Sequence, residues 1–425
     1  MTSPSEPVPH DPRVAFILRL GRALHTSGYA ADRLEEALGR SSDQLGIEAQ
    51  FFSTPTSIMA SFGPQDDQRT FMIRVEPGES NLGKLAGVDK VTRDVLNRVI
   101  TPLEGSARID QIEAAPERYG PALKTLAFAI VSGGAARFLG GGWHEIVAGA
   151  AIGLVIGGLA LIMHRQPALS RVFELVAAFS ASLLAAVIAT AGFPISVFLV
   201  TLAGVIVLIP GLMLTTAMRE LSSRHLASGT ARFMGALVLL LGITFGIAIG
   251  AKTASLAMGT PHSSAVVNLP DWTLLLSLLI SPLGFAILLK ADPRDVPWVI
   301  VAGIVAFTGA YAGSNALGPE LGAFVGGLLT GIGSNWYARL TNRPSQISLV
   351  PGLLLMVPGS VGLRSLASLL DKNVMVGVES AFRMVLIAVS LVAGILIANV
   401  VSPRRKLVDG SLSGEWEAKR TVPRP

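Results

Sequence analysis

The chain has 425 residues, 51% of them apolar and only 15% charged, with a mean hydropathy of +0.57. A soluble domain carries about 25% charged residues, so this composition excludes an ordinary soluble protein and points to lipid. The net charge of +5 builds no basic helix with interleaved aromatics, which excludes a nucleic-acid binder, and the lack of cysteine excludes disulfides, zinc–thiolate centres and cysteine nucleophiles.

Residues 1–12 form a polar, proline-rich tail with no apolar core behind a basic end, so it is no secretory signal and the domain that follows is expected in the cytoplasm. Residues 13–120 read as a small soluble α/β domain, with 17 acidic and 14 basic side chains in residues 1–124. Asp11-Pro12 is an N-cap and N1 pair that opens a helix with Val14, Ile17, Leu18 and Leu24 at helical spacing. Gly28 ends it, and a second helix is expected over Leu34 to Leu45. Alternating runs near 48–53, 56–62 and 69–75 predict strands, and helices are expected around 81–99 and 104–115.

From residue 121 the pattern changes. A bilayer core about 30 Å thick needs roughly 20 apolar residues in a helix, and uncharged runs of that length recur. One candidate covers 122–140; others lie between Glu145 and Arg165, Glu174 and Arg219 (two spans), and Arg232 and Lys252. Further runs fall between Asp271 and Lys290, Asp295 and Glu320, Glu320 and Arg339, Arg343 and Arg364, and Arg383 and Arg404. The expected architecture is therefore mainly α and polytopic: ten transmembrane helices, as a first five-helix half over 121–252, an outer loop over 253–270, a second half over 271–403 and a cytoplasmic tail over 404–425. With the N-terminus inside, twelve Lys/Arg fall in inner connections and four (Arg137, Lys252, Arg364, Lys372) in outer ones, which places both termini in the cytoplasm.

Each half carries Pro-Gly in its fourth span: Pro210-Gly211 in the first, and Pro351-Gly352 with Pro358-Gly359-Ser360 in the second. An odd number of spans per half makes the halves inverted repeats, the plan of many secondary transporters. Proline removes a backbone donor and glycine admits unusual conformations, so both fourth spans are expected to break there. Peptide groups freed in lipid are tolerated only where they line a cavity or pack in protein. Positive half-helix N-termini suit a carboxylate and free carbonyls suit an ammonium, so an amino acid fits both; a plain kink is the alternative.

These residues resemble the bacterial threonine/serine exporter family. The resemblance rests on Leu20-Gly21-Arg22-Ala23-Leu24, on Phe52-Ser53-Thr54-Pro55-Thr56-Ser57, and on Ile209-Pro210-Gly211 followed by Arg219-Glu220-Leu221 and Ser228-Gly229-Thr230-Ala231-Arg232. In the second half it rests on Asn335-Trp336-Tyr337-Ala338-Arg339 and on Leu349 through Ser360. It implies export of threonine and serine across a bacterial cytoplasmic membrane, driven by protons, by a protein that is no enzyme and needs no cofactor. A homo-oligomer stays open. Glu220 stands where the family pattern has Asp.

An ionisable group inside a span is a functional candidate by default. Glu174 is open between proton coupling and a snorkelling end residue paired with Arg171. Glu379 and Arg383, at i,i+4, are expected to pair. Arg232 and Arg383 open the fifth span of their halves and, with Arg219, are candidates for coupling or gating. Asn335 is open between the solute path and helix packing, and Thr215 and Thr216 between substrate and their own backbone.

The soluble domain offers less. Gly78 to Leu85 nearly matches a phosphate loop but has Leu85 where Ser/Thr must bind Mg²⁺, and Asp66-Asp67 reads as a turn; in the first membrane half His144-Glu145 lacks a second histidine for zinc. The alternatives to an exporter are a membrane-anchored hydrolase using Thr54, Thr56, Arg74 and Glu35, and a small-solute channel; no hydrolase signature supports the first and no charged ring the second.

Overall fold

The computed structural model describes residues 11–76, 80–259, 264–356, 363 and 374–403. Pro358, Gly359, Ser360, Arg364 and Lys372 lie outside the described residues.

The first layer is built from α1 (Pro12–Thr26), α2 (Ala31–Gln44), strands β1 (Ala49–Thr54), β2 (Ser57–Phe62) and β3 (Arg69–Arg74), α3 (Leu82–Leu96) and α4 (Pro102–Ala114). Asp11 caps α1 by accepting the Arg13 N–H at 2.8 Å, with Pro12 in the first turn. The strands form an antiparallel sheet in sequence order, and the Thr54 hydroxyl closes the first hairpin by accepting the Ser57 N–H at 3.1 Å. Phe16, Leu20, Leu34, Leu38, Ile58, Leu85 and Ile109 are fully buried between helices and sheet. Each such side chain contributes about 1.5–3 kcal/mol on burial.

That core does not stop at the sheet. It continues without a gap into Ala286, Leu289, Ala291, Val299, Tyr337 and Ile347, all from the helical remainder of the chain. The join is also hydrogen-bonded: the first N–H groups of α3, on Leu82 and Gly83, donate to the carbonyls of Leu289 and Lys290 at 3.0 and 3.1 Å. A helix N-terminus thus meets the carbonyl end of another helix, and each satisfies the other's orphan groups.

The helical remainder begins with α5 (Pro121–Phe138), α6 (Trp143–Met163), the single turn α7 (Pro167–Ser170) and α8 (Phe173–Thr190). It continues through α9 (Val197–Gly204), α10 (Gly211–Ser222) and α11 (Leu226–Met258). The second half holds α12 (Trp272–Leu288), α13 (Val296–Leu317), α14 (Pro319–Thr341), α15 (Gln346–Leu354) and a last helix, α16, over Val374–Val401. Five of these, α6, α8, α11, α13 and α16, are long and apolar enough to cross a membrane, and the bent pair α9–α10 makes six if taken as one span. The expectation of ten spans is not met by length and hydropathy: α5 carries Lys124 and Arg137, α12 has 17 residues with Pro282 inside, and α15 has nine.

The two halves share a packing plan. The first helices meet, α5 on α12, and within each half the third helix lies along the fifth, α8 on α11 and α14 on α16. Glycine permits both close pairs. A Cβ on Gly246 or Gly250 of α11 would lie 2.5 or 2.6 Å from the carbonyls of Leu175 and Phe179, and one on Gly327 of α14 would lie 2.5 Å from that of Leu391. Small residues spaced by four let helix backbones touch where lipid offers no hydrophobic drive.

The first fourth span breaks as expected. After α9 the chain bends by 48° between Val197–Gly204 and Ile206–Ser222, makes a 3-10 turn over Ile206–Leu208, and restarts as α10 at Gly211 behind Pro210. The second does not break at Pro351. Pro351 lies inside α15, buried with Gly352, whose missing side chain leaves room for Thr330 and the Ala302 carbonyl. The same dipeptide gives a different result because α15 is braced by α13 and α14 on either side.

Candidate solute site at the broken helix

The break at Pro210 leaves peptide groups without partners. Proline has no N–H, so the Ile206 carbonyl takes Ile209 N at 3.4 Å instead, and Gly211 N turns back to the Ile209 carbonyl at 2.7 Å. The Val207 carbonyl thereby loses both of its possible helical donors. On the other side of the break no side chain caps α10, and the N–H of Met213 finds no acceptor in the link before it among the described residues. A bare acceptor and a bare positive helix end sit a few residues apart.

The residues that carry them line a cavity of 740 Å³ bounded by residues 206–213, by Lys124, Phe128, His164 and Arg165, by Phe173 and Glu174 at the start of α8, and by Phe285, Lys290 and Leu354. That volume lies within the range of small-molecule sites. One group straddles the edge. Glu117, in the link between the first layer and α5, pairs with Lys124 of α5 and, at 2.7 Å, with Lys290 at the end of α12. These two cations hold its carboxyl down to about 2, against the opposing effect of burial.

A second cluster joins the first layer to the turn between α10 and α11. Glu220 is completely buried; it accepts hydrogen bonds from Ala31 N (2.8 Å), the Ser228 hydroxyl (2.8 Å) and Arg232 Nε (3.0 Å). Beside it Arg219 pairs with Asp32 at 3.0 Å, and His225 lies 3.3 Å from Glu35. Burial pushes the Glu35 carboxyl above its ordinary value, opposed by the Ser53 N–H and by His225. Burial lowers the pKa of His25, whose Nε2 lies 3.1 Å from the Thr54 carbonyl, and the charge of Arg232 lowers it further.

The predicted residues therefore divide. Pro210, Gly211 and Glu174 share the cavity, and no ion pair joins Glu174 to Arg171 among the described residues. Arg219 and Arg232 anchor the first layer. Thr215 hydrogen-bonds its own backbone at Gly211 O, 3.1 Å away, and Thr216 makes no side-chain hydrogen bond among the described residues. Asn335 donates to the Ser402 carbonyl at 2.7 Å and to Asn399 at 3.2 Å, tying α14 to the end of α16. Glu379 and Arg383 pair at 3.8 Å as expected, and Arg383 also reaches Glu320 at 3.3 Å. In the sheet layer Thr54 and Glu35 are engaged in the hairpin and with His225, while Thr56 and Arg74 are exposed. Sequence reasoning missed Lys124, His164, Glu117 and Lys290 at the cavity; the one signal was a cluster of charges at helix ends next to the Pro-Gly span.

Residues 15–254 match the threonine/serine exporter family, and residues 274–401 match the second family description, Threonine/Serine exporter, ThrE. The chain belongs to this exporter family. Curated relatives include the pheromone-regulated membrane protein 10 of Debaryomyces hansenii, 25% identical over 386 residues (88% of this chain, 37% of the relative). The proteins of that name from Kluyveromyces lactis and Eremothecium gossypii are each 27% identical, over 87% and 91% of this chain and 39% and 54% of their own lengths. The chain thus spans between about a third and just over half of these relatives. No solved structure matches it. Family membership covers both sides of the break, including Pro210-Gly211, Glu220 and Arg232.

Proposed function

We propose that this family member is a secondary transporter that moves threonine and serine out of the cytoplasm in exchange for the inward movement of protons. The solute sits against the break at Pro210. The observation that carries this reading is the helix break at one cavity, whose lining includes Val207, with both helical donors of its carbonyl lost, and Met213, whose N–H has no acceptor in the link before it. A zwitterion needs both: acceptors for its ammonium and a positive helix end for its carboxylate. Pro210 and Gly211 make the site, and Glu174 is an acidic group at its wall, with Glu117 at the edge. Thr215, Thr216, Asn335, Pro351 and Gly352 form its supporting shell, and Pro358, Gly359 and Ser360 supply the second half's counterpart. Arg219, Arg232, Glu379 and Arg383 act in gating.

The reading also carries ten membrane passes in two inverted halves, with short helices such as α12 and α15 completing the count. The first layer and both termini lie in the cytoplasm of a bacterial cell, and the chemistry is transport, with no turnover and no cofactor.

Purified protein in liposomes is expected to move labelled threonine in response to a pH gradient. Gly211→Val, which crowds the cavity wall at the break, is expected to abolish flux, whereas Leu241→Val on an exposed, lipid-facing position of α11 leaves it intact. No gradient-dependent flux of either amino acid in the unaltered protein refutes the transport reading; equal flux in both variants removes the site from the break.

A further inference from the structure

Threonine and serine differ from 2-aminobutyrate and alanine by one hydroxyl on the same carbon skeleton. Charge alone does not separate them, because all four are zwitterions. The charged side chains of the cavity wall, Glu174 and Arg165 among them, suit the ammonium and carboxylate that all four share. A reader of the hydroxyl has to be a neutral hydrogen-bonding group on that wall, held in one orientation. Among the described residues of the Pro210 cavity, Ser80 and His164 carry a neutral nitrogen or oxygen in the side chain. The Ser80 hydroxyl lies against the turn at Gly28, where an added Cβ would sit 2.8 Å from it. His164 remains.

His164 ends α6 on the helix face that also brings Gly157, Ala160 and Leu161 to the cavity, a spacing of three, one and three residues. Its backbone N–H and its ring Nδ1 both go to the Ala160 carbonyl, at 3.0 and 2.8 Å. A carbonyl only accepts, so the proton sits on Nδ1, and in the neutral ring Nε2 is left as an acceptor. Phe173, 4% exposed at the start of α8, packs edge to face on the ring, with centroids 4.9 Å apart and planes at 69°. The first contact fixes the tautomer and the second holds the ring. Closing the end of α6 uses Nδ1 alone. Nε2 makes no hydrogen bond among the described residues, and His164 is exposed, so a solute can reach it.

We infer that His164 is the specificity-determining residue of the Pro210 cavity: its Nε2 accepts the hydroxyl of threonine or serine and so separates them from the same skeletons without it. A solute lacking the hydroxyl leaves that acceptor unmatched. The inference rests on the exporter reading, and its test tells the two apart.

Exchange of labelled threonine is measured in liposomes at equal pH on both faces, with unlabelled threonine or 2-aminobutyrate as competitor. In the unaltered protein threonine is expected to compete several-fold better. His164→Leu, apolar and without an acceptor, is expected to bring the two competitors close to equality, and His164→Gln, which keeps an acceptor, to retain part of the preference. A loss of packing alone would weaken both competitors together. Full preference for threonine in His164→Leu overturns the assignment and leaves the exporter reading standing.

A second measurement needs neither a variant nor transport. Diethyl pyrocarbonate acylates accessible imidazoles, and in detergent it reaches both His164 and His144, which is exposed at the other end of α6. The ratio of modification at the two is read by peptide mass mapping. Threonine is expected to lower the ratio several-fold more than an equal amount of 2-aminobutyrate, whose amine consumes the reagent alike. Equal ratios with the two overturn the assignment, whether or not His164→Leu folds. Protection by threonine in a protein that exchanges no amino acid keeps His164 as the hydroxyl reader and refutes only the exporter reading.

Discussion

Glu220 closes the first turn of a helix that begins 189 positions before it, accepting the Ala31 N–H at 2.8 Å while Arg232 neutralises it at 3.0 Å. Removing one member of such a buried pair leaves the other charged and dry, at a cost of about 3–5 kcal/mol. Arg232→Ala is expected to cost that much, read as a lowered melting temperature in detergent. The double variant Glu220→Gln/Arg232→Met is expected to lose less than the sum of the single changes. Additive losses would show that the two do not act as a unit.

Glu117 ties α5 to α12 through Lys124 and Lys290. Its folded value of about 2 lies below the 4.5 of the free side chain. The unfolded chain therefore binds more protons between those values, and the stabilisation is complete above 4.5 and fades as pH falls toward 2. The side chain is half exposed, so solvent screening keeps Glu117→Gln to about 1 kcal/mol at neutral pH. The loss should shrink below pH 4.5; a loss that does not change with acid would refute the charge as its cause.

His25 is held neutral by burial and by Arg232. A histidine with a lowered folded value is fully tolerated above its ordinary 6.5, and stability falls as the pH drops below that toward the folded value. His25→Gln is expected to flatten the fall in melting temperature between about pH 6.5 and 5, at some cost at neutral pH. An unchanged acid slope would point to another group.

Gly246→Ala forces a methyl against the Leu175 carbonyl and is expected to cost about 1–3 kcal/mol by overpacking α8 on α11. Gly242→Ala, four residues earlier on the same helix, meets nothing within 4 Å and is expected to be neutral or to stabilise by up to about 1 kcal/mol through helix propensity. Similar effects for the two would remove the backbone contact from the account. Thermal melts of the two variants side by side decide it.

Local chemistry made part of this molecule legible in advance. Asp11-Pro12 announced α1, alternation placed all three strands within one residue at either end, and Pro210-Gly211 marked the break. Pro351 misled because the identical dipeptide, set between α13 and α14, stays helical, and a lost hydrogen bond is tolerated where packing holds both sides. Spacing leaves Glu174 open between proton coupling and a local pair with Arg171; in the structure it lines the cavity. Glu220 and Glu145 find their partners across 189 and 51 positions, distances over which no periodicity speaks.

The core shared between the first layer and the ends of α12, α13, α14 and α15 sets an order of events at the ribosome. The layer is made first, but the face that receives Leu289, Tyr337 and Ile347 stays wet until residue 347 has been synthesised. A nascent chain of this protein therefore carries an unfinished apolar surface through most of its translation, while its membrane helices are already being inserted.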